Sequence, residues 1–263
     1  MELTYILAGL MVGFCVGVTG VGAGSLMTPI LILLLKVEPH IAIGTDLLYA
    51  AVSKFFGSMV HIKKLNVVWP VVLWLAAGSI PASIGTNLAL SYVGGGDSVS
   101  DVLTLALGIM LTLTGVSIIF RKQLERFFMR FKTVEPTKAE IQAWPKKKLV
   151  IMGIVLGVLV TLSSVGAGAF GMMALVLMFQ HLPMIRIIGS DVMHAVLLTF
   201  VAGMGHLFNG NVDFVLLGWL LVGSVPAIIF GTLVATKLPE DKIRPILGLS
   251  LLLIGISFVF KVL

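Results

Sequence analysis

Apolar blocks of about 20 residues or more recur along almost the whole chain, and each is long enough, as a helix, to cross a hydrocarbon layer of about 30 Å. The pattern predicts spans at 3–35, 39–62, 67–92, 99–120, 149–179, 184–208, 212–236 and 243–260. The first and fifth blocks are too long for one crossing, and glycine-rich stretches interrupt both. One long polar connection separates the blocks into two sets. In it Leu124, Phe127, Phe128 and Phe131 recur at helical spacing, the pattern of a short amphipathic piece lying in the interface.

The two sets repeat each other. Val21-Gly22-Ala23-Gly24 returns as Val165-Gly166-Ala167-Gly168, and Pro39 returns as Pro183. After one inserted residue, Gly44-Thr45-Asp46 matches Gly189-Ser190-Asp191, His61 matches His206, and Asn66 matches Asn211. Gly78-Ser79-x-Pro81 likewise matches Gly223-Ser224-x-Pro226. So many matches in order, with a single gap, describe a duplicated unit, the usual plan of secondary carriers. The expected organisation is a first transmembrane repeat over 1–120, a basic cytoplasmic connection over 121–148 and a second transmembrane repeat over 149–263.

Composition agrees with a bilayer as solvent. Of 263 residues 58% are hydrophobic and 11% charged, and the mean hydropathy is +1.11, far from a surface that must face water. Met1-Glu2 supplies no basic leader, so the first apolar block is expected to remain in the mature protein. Cys15, the single cysteine, has no partner for an intramolecular disulfide and reads as a buried thiol. The net charge of +6 does not call for nucleic acid, because half of the Lys and Arg fall in the 121–148 connection, where they orient the chain in the membrane. With that connection cytoplasmic and each interrupted block folded as a hairpin, Lys63, Lys64, Arg186, Lys237, Lys242 and Arg244 also fall on the cytoplasmic side, leaving Lys36 and Lys261 outside. Full crossings would place four of these basic residues outside. The positive-inside rule therefore favours inverted repeats, each a Gly-broken helical hairpin plus three transmembrane helices, in an all-α integral membrane protein with both termini extracytoplasmic.

The glycine clusters are the first candidate site. Glycine lowers helix propensity and permits positive φ, so a break is expected within 17–25 and again within 163–171. A broken helix in lipid survives only when buried in protein or lining a cavity, and the half-helix that follows presents free N–H groups and a positive dipole end, suited to an anion. Thr19, Gly22, Gly24, Ser25, Ser163, Ser164, Gly166 and Gly168 are the expected substrate-binding residues. The competing use of such glycines is close helix packing. No Gly-Lys-Ser/Thr follows them, so they do not form a phosphate loop.

Asp46 and Asp191 are the second candidate. Each lies about 10–12 Å along a helix from the proline that opens its span, and an acid at that depth points to a bundle interior or an ion pathway. Two uses are open: proton binding coupled to solute movement, or capping and cross-helix bonding beside Thr45 and Ser190. As anions they repel a negative solute unless protonated, which ties anion transport to protons. Lys54, with Thr199 at the equivalent position, could neutralise Asp46, attract an anion or snorkel. His61 and His206 stand near span ends, where interfacial hydrogen bonding competes with a transport role. No metal-ligand spacing involves His181 or His194, no cofactor motif occurs, and no nucleophile elbow, Ser-x-x-Lys or His-Glu-x-x-His motif supports catalysis. Trp69 and Trp144 read as interface anchors.

Together, the glycine-rich 21–24 stretch with Pro29, then Pro39 and Gly44-Thr45, His61-x4-Asn66-Val67 and Gly78-Ser79-x-Pro81-x3-Gly85, with the set repeated, resemble the sulfite exporter TauE/SafE family. The resemblance covers nearly the whole chain outside the basic connection. It implies a bacterial inner-membrane or plasma-membrane carrier of a sulfur-containing or organic anion such as sulfite, thiosulfate or a sulfonate. Asp46 and Asp191 depart from a common Gly-Thr-Ser pattern of that family and suggest proton coupling. The expected function is therefore a secondary transporter, an exporter working by alternating access, with a small anion, protons and the lipid bilayer as its partners. An anion channel, or a membrane enzyme or assembly factor, is the alternative.

Overall fold

The computed structural model describes residues 2–19, 24–93, 97–120, 145–166, 168–179, 182–235 and 240–262. Gly22, Trp144 and the connection from 121 to 144 lie outside the described residues. The regular structure is helical throughout those residues: α1 (Glu2–Thr19), α2 (Gly24–Leu33), α3 (Pro39–Lys63), α4 (Trp69–Val93), α5 (Asp97–Ile119), α6 (Lys146–Ser163), α7 (Ala169–Met178), α8 (Met184–Phe208), α9 (Phe214–Ala235) and α10 (Glu240–Val262). The first and fifth apolar blocks each divide into a long and a short helix, at the places where glycine is dense. α6 starts three residues earlier than the apolar run, and its first-turn Lys146 places its ammonium 5.2 Å from the centre of the Trp74 ring, a cation–π contact.

Among the described residues five helices combine the length and apolarity needed to cross a membrane: Trp69–Val93, Val99–Ile119, Met184–Phe208, Phe214–Gly231 and Pro245–Val262. α3 is also long, at about 37 Å for its 25 residues, but Asp46, Lys54 and Lys63 make it more polar. Large side chains such as Leu73, Phe208, Phe230, Ile246 and Phe260 are more than half exposed. On a protein in water such faces would be a liability; against acyl chains they are the expected surface. Inside, Met27 and Leu31 of α2, Tyr49 of α3, Leu107 of α5, Leu220 of α9 and Phe258 of α10 interlock in one apolar core.

Since lipid is as apolar as leucine, helices in a bilayer associate by close approach. α1 packs along α9, and α4 along α6, so each half of the chain supplies one helix to the other. A Cβ at Gly78 would fall 2.1 Å from the Val150 carbonyl oxygen, and one at the equivalent Gly223 would fall 2.1 Å from that of Ile6. The paired helices run parallel, as Leu75 meets Gly153 and Ser83 meets Thr161 along α4 and α6. Two further pairs, α3 with α8 and α5 with α10, join a helix to its own equivalent, and these run antiparallel. On α3 and α8, Gly44 lies against His206 while Leu48 lies against Gly203; on α5 and α10, Gly108 meets Val259 while Gly115 meets Gly248.

Two loops clamp the α3–α8 pair. After α3 the backbone turns left-handed at Leu65 (φ 55), and after α8 at Gly210 (φ 76). The following amides, Asn66 and Asn211, donate to the carbonyls of His61 and His206 at 2.9 Å, closing each helix in a Schellman-type turn. Each loop then docks on the other half. The Asp213 N–H donates to Thr45 Oγ1 at 3.1 Å and the Val68 N–H to Ser190 Oγ at 2.8 Å. Asn211 crosses so close to Gly44, and Asn66 to Gly189, that a Cβ would stand 2.1 or 2.5 Å from their carbonyl oxygens. The repeated Gly-Thr/Ser step is therefore a docking seat: a small residue admits the loop and a hydroxyl accepts its amide.

Gly78→Ala and Gly223→Ala are each expected to lower stability by about 1–3 kcal/mol through overpacking, whereas Gly218→Ala, whose Cβ meets nothing within 4 Å, leaves the melting midpoint of the detergent-purified protein unchanged or higher. Thr45→Val or Ser190→Ala leaves a loop amide without its acceptor. We expect a cost of about 1–3 kcal/mol and faster hydrogen exchange of the Asp213 or Val68 amide.

Candidate functional site

The second glycine cluster ends α6 abruptly. Ser164 adopts φ 58 and Gly166 φ 107, and the chain re-enters a helix at Ala169. Several amides at this break are turned inward: Val165 N–H donates to Ser163 Oγ at 3.2 Å, Gly168 N–H to Gly166 O at 2.8 Å and Gly171 N–H to Gly166 O at 3.0 Å. Gly166 is held against α5, where a Cβ would lie 2.5 Å from Met110 Cε. At the first cluster Thr19 closes α1, Gly24 opens α2 and Ser25 is buried behind it.

Asp46 ties three segments together. Its carboxylate has no solvent exposure, and its Oδ2 accepts hydrogen bonds from Thr28 Oγ1 of α2 and, at 3.0 Å, from Ser164 Oγ. The left-handed turn at Ser164 delivers that hydroxyl from the other half of the chain. Asp46 Oδ1 is buried without a hydrogen-bond partner. Asp191, buried on α8, lies over the first turn of α7: a Cβ at Gly171 would come 2.8 Å from its Oδ1. A negative charge is favoured at a helix N-terminus, so the positive end of α7, expected from the sequence to face a solute, here faces one of the protein's own carboxylates.

Lys54 belongs to the same layer. The antiparallel register that sets Leu48 on Gly203 carries Ser53 and Lys54 of α3 to the level of their own equivalents, Leu198 and Thr199 of α8. Lys54 therefore stands between the levels of the two acids, and it interacts electrostatically with both Asp46 and Asp191. His194 is also within its electrostatic range and pairs through Nε2 with Ser79 Oγ at 2.9 Å. In the other half the equivalents of that pair are Tyr49 and Ser224. Their hydroxyls lie within reach of each other and of Ser53, without the close contact that His194 and Ser79 make.

The remaining sequence candidates are more peripheral. His206 Nε2–H donates to the Thr161 carbonyl at 2.9 Å, and His61 near the end of α3 keeps a buried Nδ1 without a partner. Thr45 and Ser190 serve the loops. Among the described residues no three His, Cys, Asp or Glu side chains converge as metal ligands would. A cavity of about 440 Å³ lies apart from the acids, between the first residues of α3, the start of α5 and the end of α10, lined by Glu38, His40, Asp101 and Lys261 among others. Thr28, Ser79, Tyr49 and His194 were not among the sequence candidates for the site. The repeat offset, which pairs Tyr49 with His194 and Ser79 with Ser224, was the available signal.

The family model for "Sulfite exporter TauE/SafE" matches residues 5–258. The probable membrane transporter protein YjnA of Bacillus subtilis is 33% identical over 262 residues, covering 98% of this chain and 100% of that protein. A probable membrane transporter protein of Xylella fastidiosa is 24% identical, covering 97% of this chain and 93% of its own length. YdhB of Bacillus subtilis, another probable membrane transporter protein, is 23% identical, covering 97% and 99%. No solved structure matches the chain. The all-helical, lipid-facing architecture and a match over nearly its full length agree, and the chain belongs to the sulfite exporter TauE/SafE family of membrane transporters.

Proposed function

We propose that the protein is a plasma-membrane secondary carrier of a small sulfur-containing or organic anion, coupled to protons and working by alternating access between two inverted repeats. The observation that carries this reading is the buried layer in which Asp46, Asp191 and Lys54 interact beside the break after α6. Charged groups at this depth are costly unless they pair or serve an ion pathway. With both acids ionised, the three groups sum to one negative charge, which repels an anion. Two protons reverse that sign, so anion and protons enter the layer together. Ser25, Ser163, Ser164, Gly166 and Gly168 would border the path of the solute, on the backbone break and the turn of helix that follows it.

The antiparallel pairing of α3 with α8 and of α5 with α10 supports the inverted arrangement. Equivalent helices can meet head to tail only if the two units enter the membrane in opposite senses. α1 runs parallel to α9, and α9 runs in the direction of α3, so α2 reverses the path between α1 and α3 as a hairpin would. Rocking one unit against the other about the α3–α8 seam would then expose the acids to each side in turn. In proteoliposomes, Asp46→Asn and Asp191→Asn are each expected to abolish sulfite or thiosulfate uptake driven by a pH gradient, while exchange of anion against anion survives. Unchanged pH-driven uptake in both variants would remove the coupling role.

A further inference from the structure

The break after α6 parts helix carbonyls from their usual amides. The Val160 carbonyl is still taken by the Ser164 N–H, but the next one, Thr161 O, loses the Val165 amide to Ser163 Oγ. His206 takes that amide's place from the last turn of α8: its ring has no solvent exposure, and Nε2–H donates to Thr161 O at 2.9 Å. With Nε2 as the donor, Nδ1 is left to accept, and Asn211 Nδ2 stands 3.5 Å from it, a long contact of the matching sense. Thr161 is held from a second side, since its Oγ1 lies 2.8 Å from Ser83 Oγ of α4. His40 is the titratable group that faces His206 from α3.

These bonds join two grips on α3. Asn211 and Asp213, in the loop that follows His206, seat on Gly44 and Thr45, and Ser164, in the turn that follows Thr161, reaches the very next side chain, Asp46, at 3.0 Å. We infer that His206 is a positioning residue for Asp46: it ties the loop grip to the helix break and so holds the Ser164 hydroxyl on the carboxylate. A helix end buried in a membrane frays where its carbonyls lack donors, and the imidazole removes that freedom just ahead of Ser164. The device is one-sided. Thr161 and Ser164 are answered in the first repeat by Gly17 and Gly20, which carry no hydroxyl, so the equivalent positions offer Asp191 no such grip. Asp46 is thus the acid whose proton is felt at a break. When it binds one, Ser164 meets a carboxyl in place of a carboxylate, and the tied break carries the change to α8 and its loop. This inference rests on the reading of the protein as a proton-coupled anion carrier and adds the residue that links the proton site to the broken backbone.

The test uses the full-length protein in proteoliposomes, with sodium sulfite and sodium thiosulfate as probes, and compares uptake driven by a pH gradient with exchange of anion against anion. His206→Leu is expected to lower driven uptake about tenfold, the scale of one buried hydrogen bond, while exchange is retained. Ser164→Ala should do the same, and the double variant should fall no further, because both changes cut one chain of contacts. His206→Gln, whose amide reaches the place of Nε2, should restore driven uptake; His206→Asn, whose shorter amide stops at the place of Nδ1, should not. Asn209→Ala removes a bond from the same helix end to the Asn87 carbonyl, 3.2 Å long and away from the break, and should leave uptake at the wild-type level. If His206→Leu does not remain monodisperse, the Gln and Asn variants carry the comparison alone. No difference between the Gln and Asn variants, whether both keep driven uptake or both lose it, would overturn the positioning role and leave the carrier reading standing. Absence of pH-driven uptake of both anions by the wild-type protein would overturn the carrier reading, and this inference with it.

Discussion

Inside a hydrocarbon layer no water is available to satisfy an amide, a hydroxyl or a carboxylate, and the arrangement of this protein follows from that constraint. A break such as the one between Ser163 and Ala169 persists because its amides find carbonyls and hydroxyls within the break and because Met110 seals one side. Asp46 persists because Thr28 and Ser164 reach it from two other segments.

The glycines answer a different need. Between helices in lipid the gain comes from contact at short range, and contact is shortest where no side chain intervenes. Gly78 on Val150 and Gly223 on Ile6 bring backbones together without bulk. Both readings of the glycines made from the sequence have a place: those at the helix breaks interrupt the backbone, and those along α1, α4, α6 and α9 let helices close on one another.

The sequence made the helices, the duplication and the broken segments legible, because apolar length and the recurring glycine, proline and histidine positions are local signals. The acids stood out because carboxylates are rare in apolar runs. The partnership of Asp46 with Ser164 was not legible, since it depends on a left-handed turn 118 positions away that delivers the hydroxyl. Thr45 and Ser190 were noticed beside the acids, yet their visible work is at the loops, which only the crossing of Asn66 and Asn211 over Gly189 and Gly44 explains. Tyr49 and Ser224 look unremarkable in their segments. Only the repeat offset sets them beside their counterparts, His194 and Ser79, which pair at 2.9 Å.

The exchange of α1 and α6 between the halves bears on how the molecule is made. α1 leaves the ribosome before α9, and the glycine face it presents has no partner until α9, some two hundred residues later in synthesis, has entered the bilayer. The first five helices thus wait in the membrane as an open set, with one groove vacant for α6 and one ridge uncovered. A polypeptide cut at the basic connection would yield two pieces that each lack the other's clasp, so the smallest self-sufficient unit of this architecture is the pair.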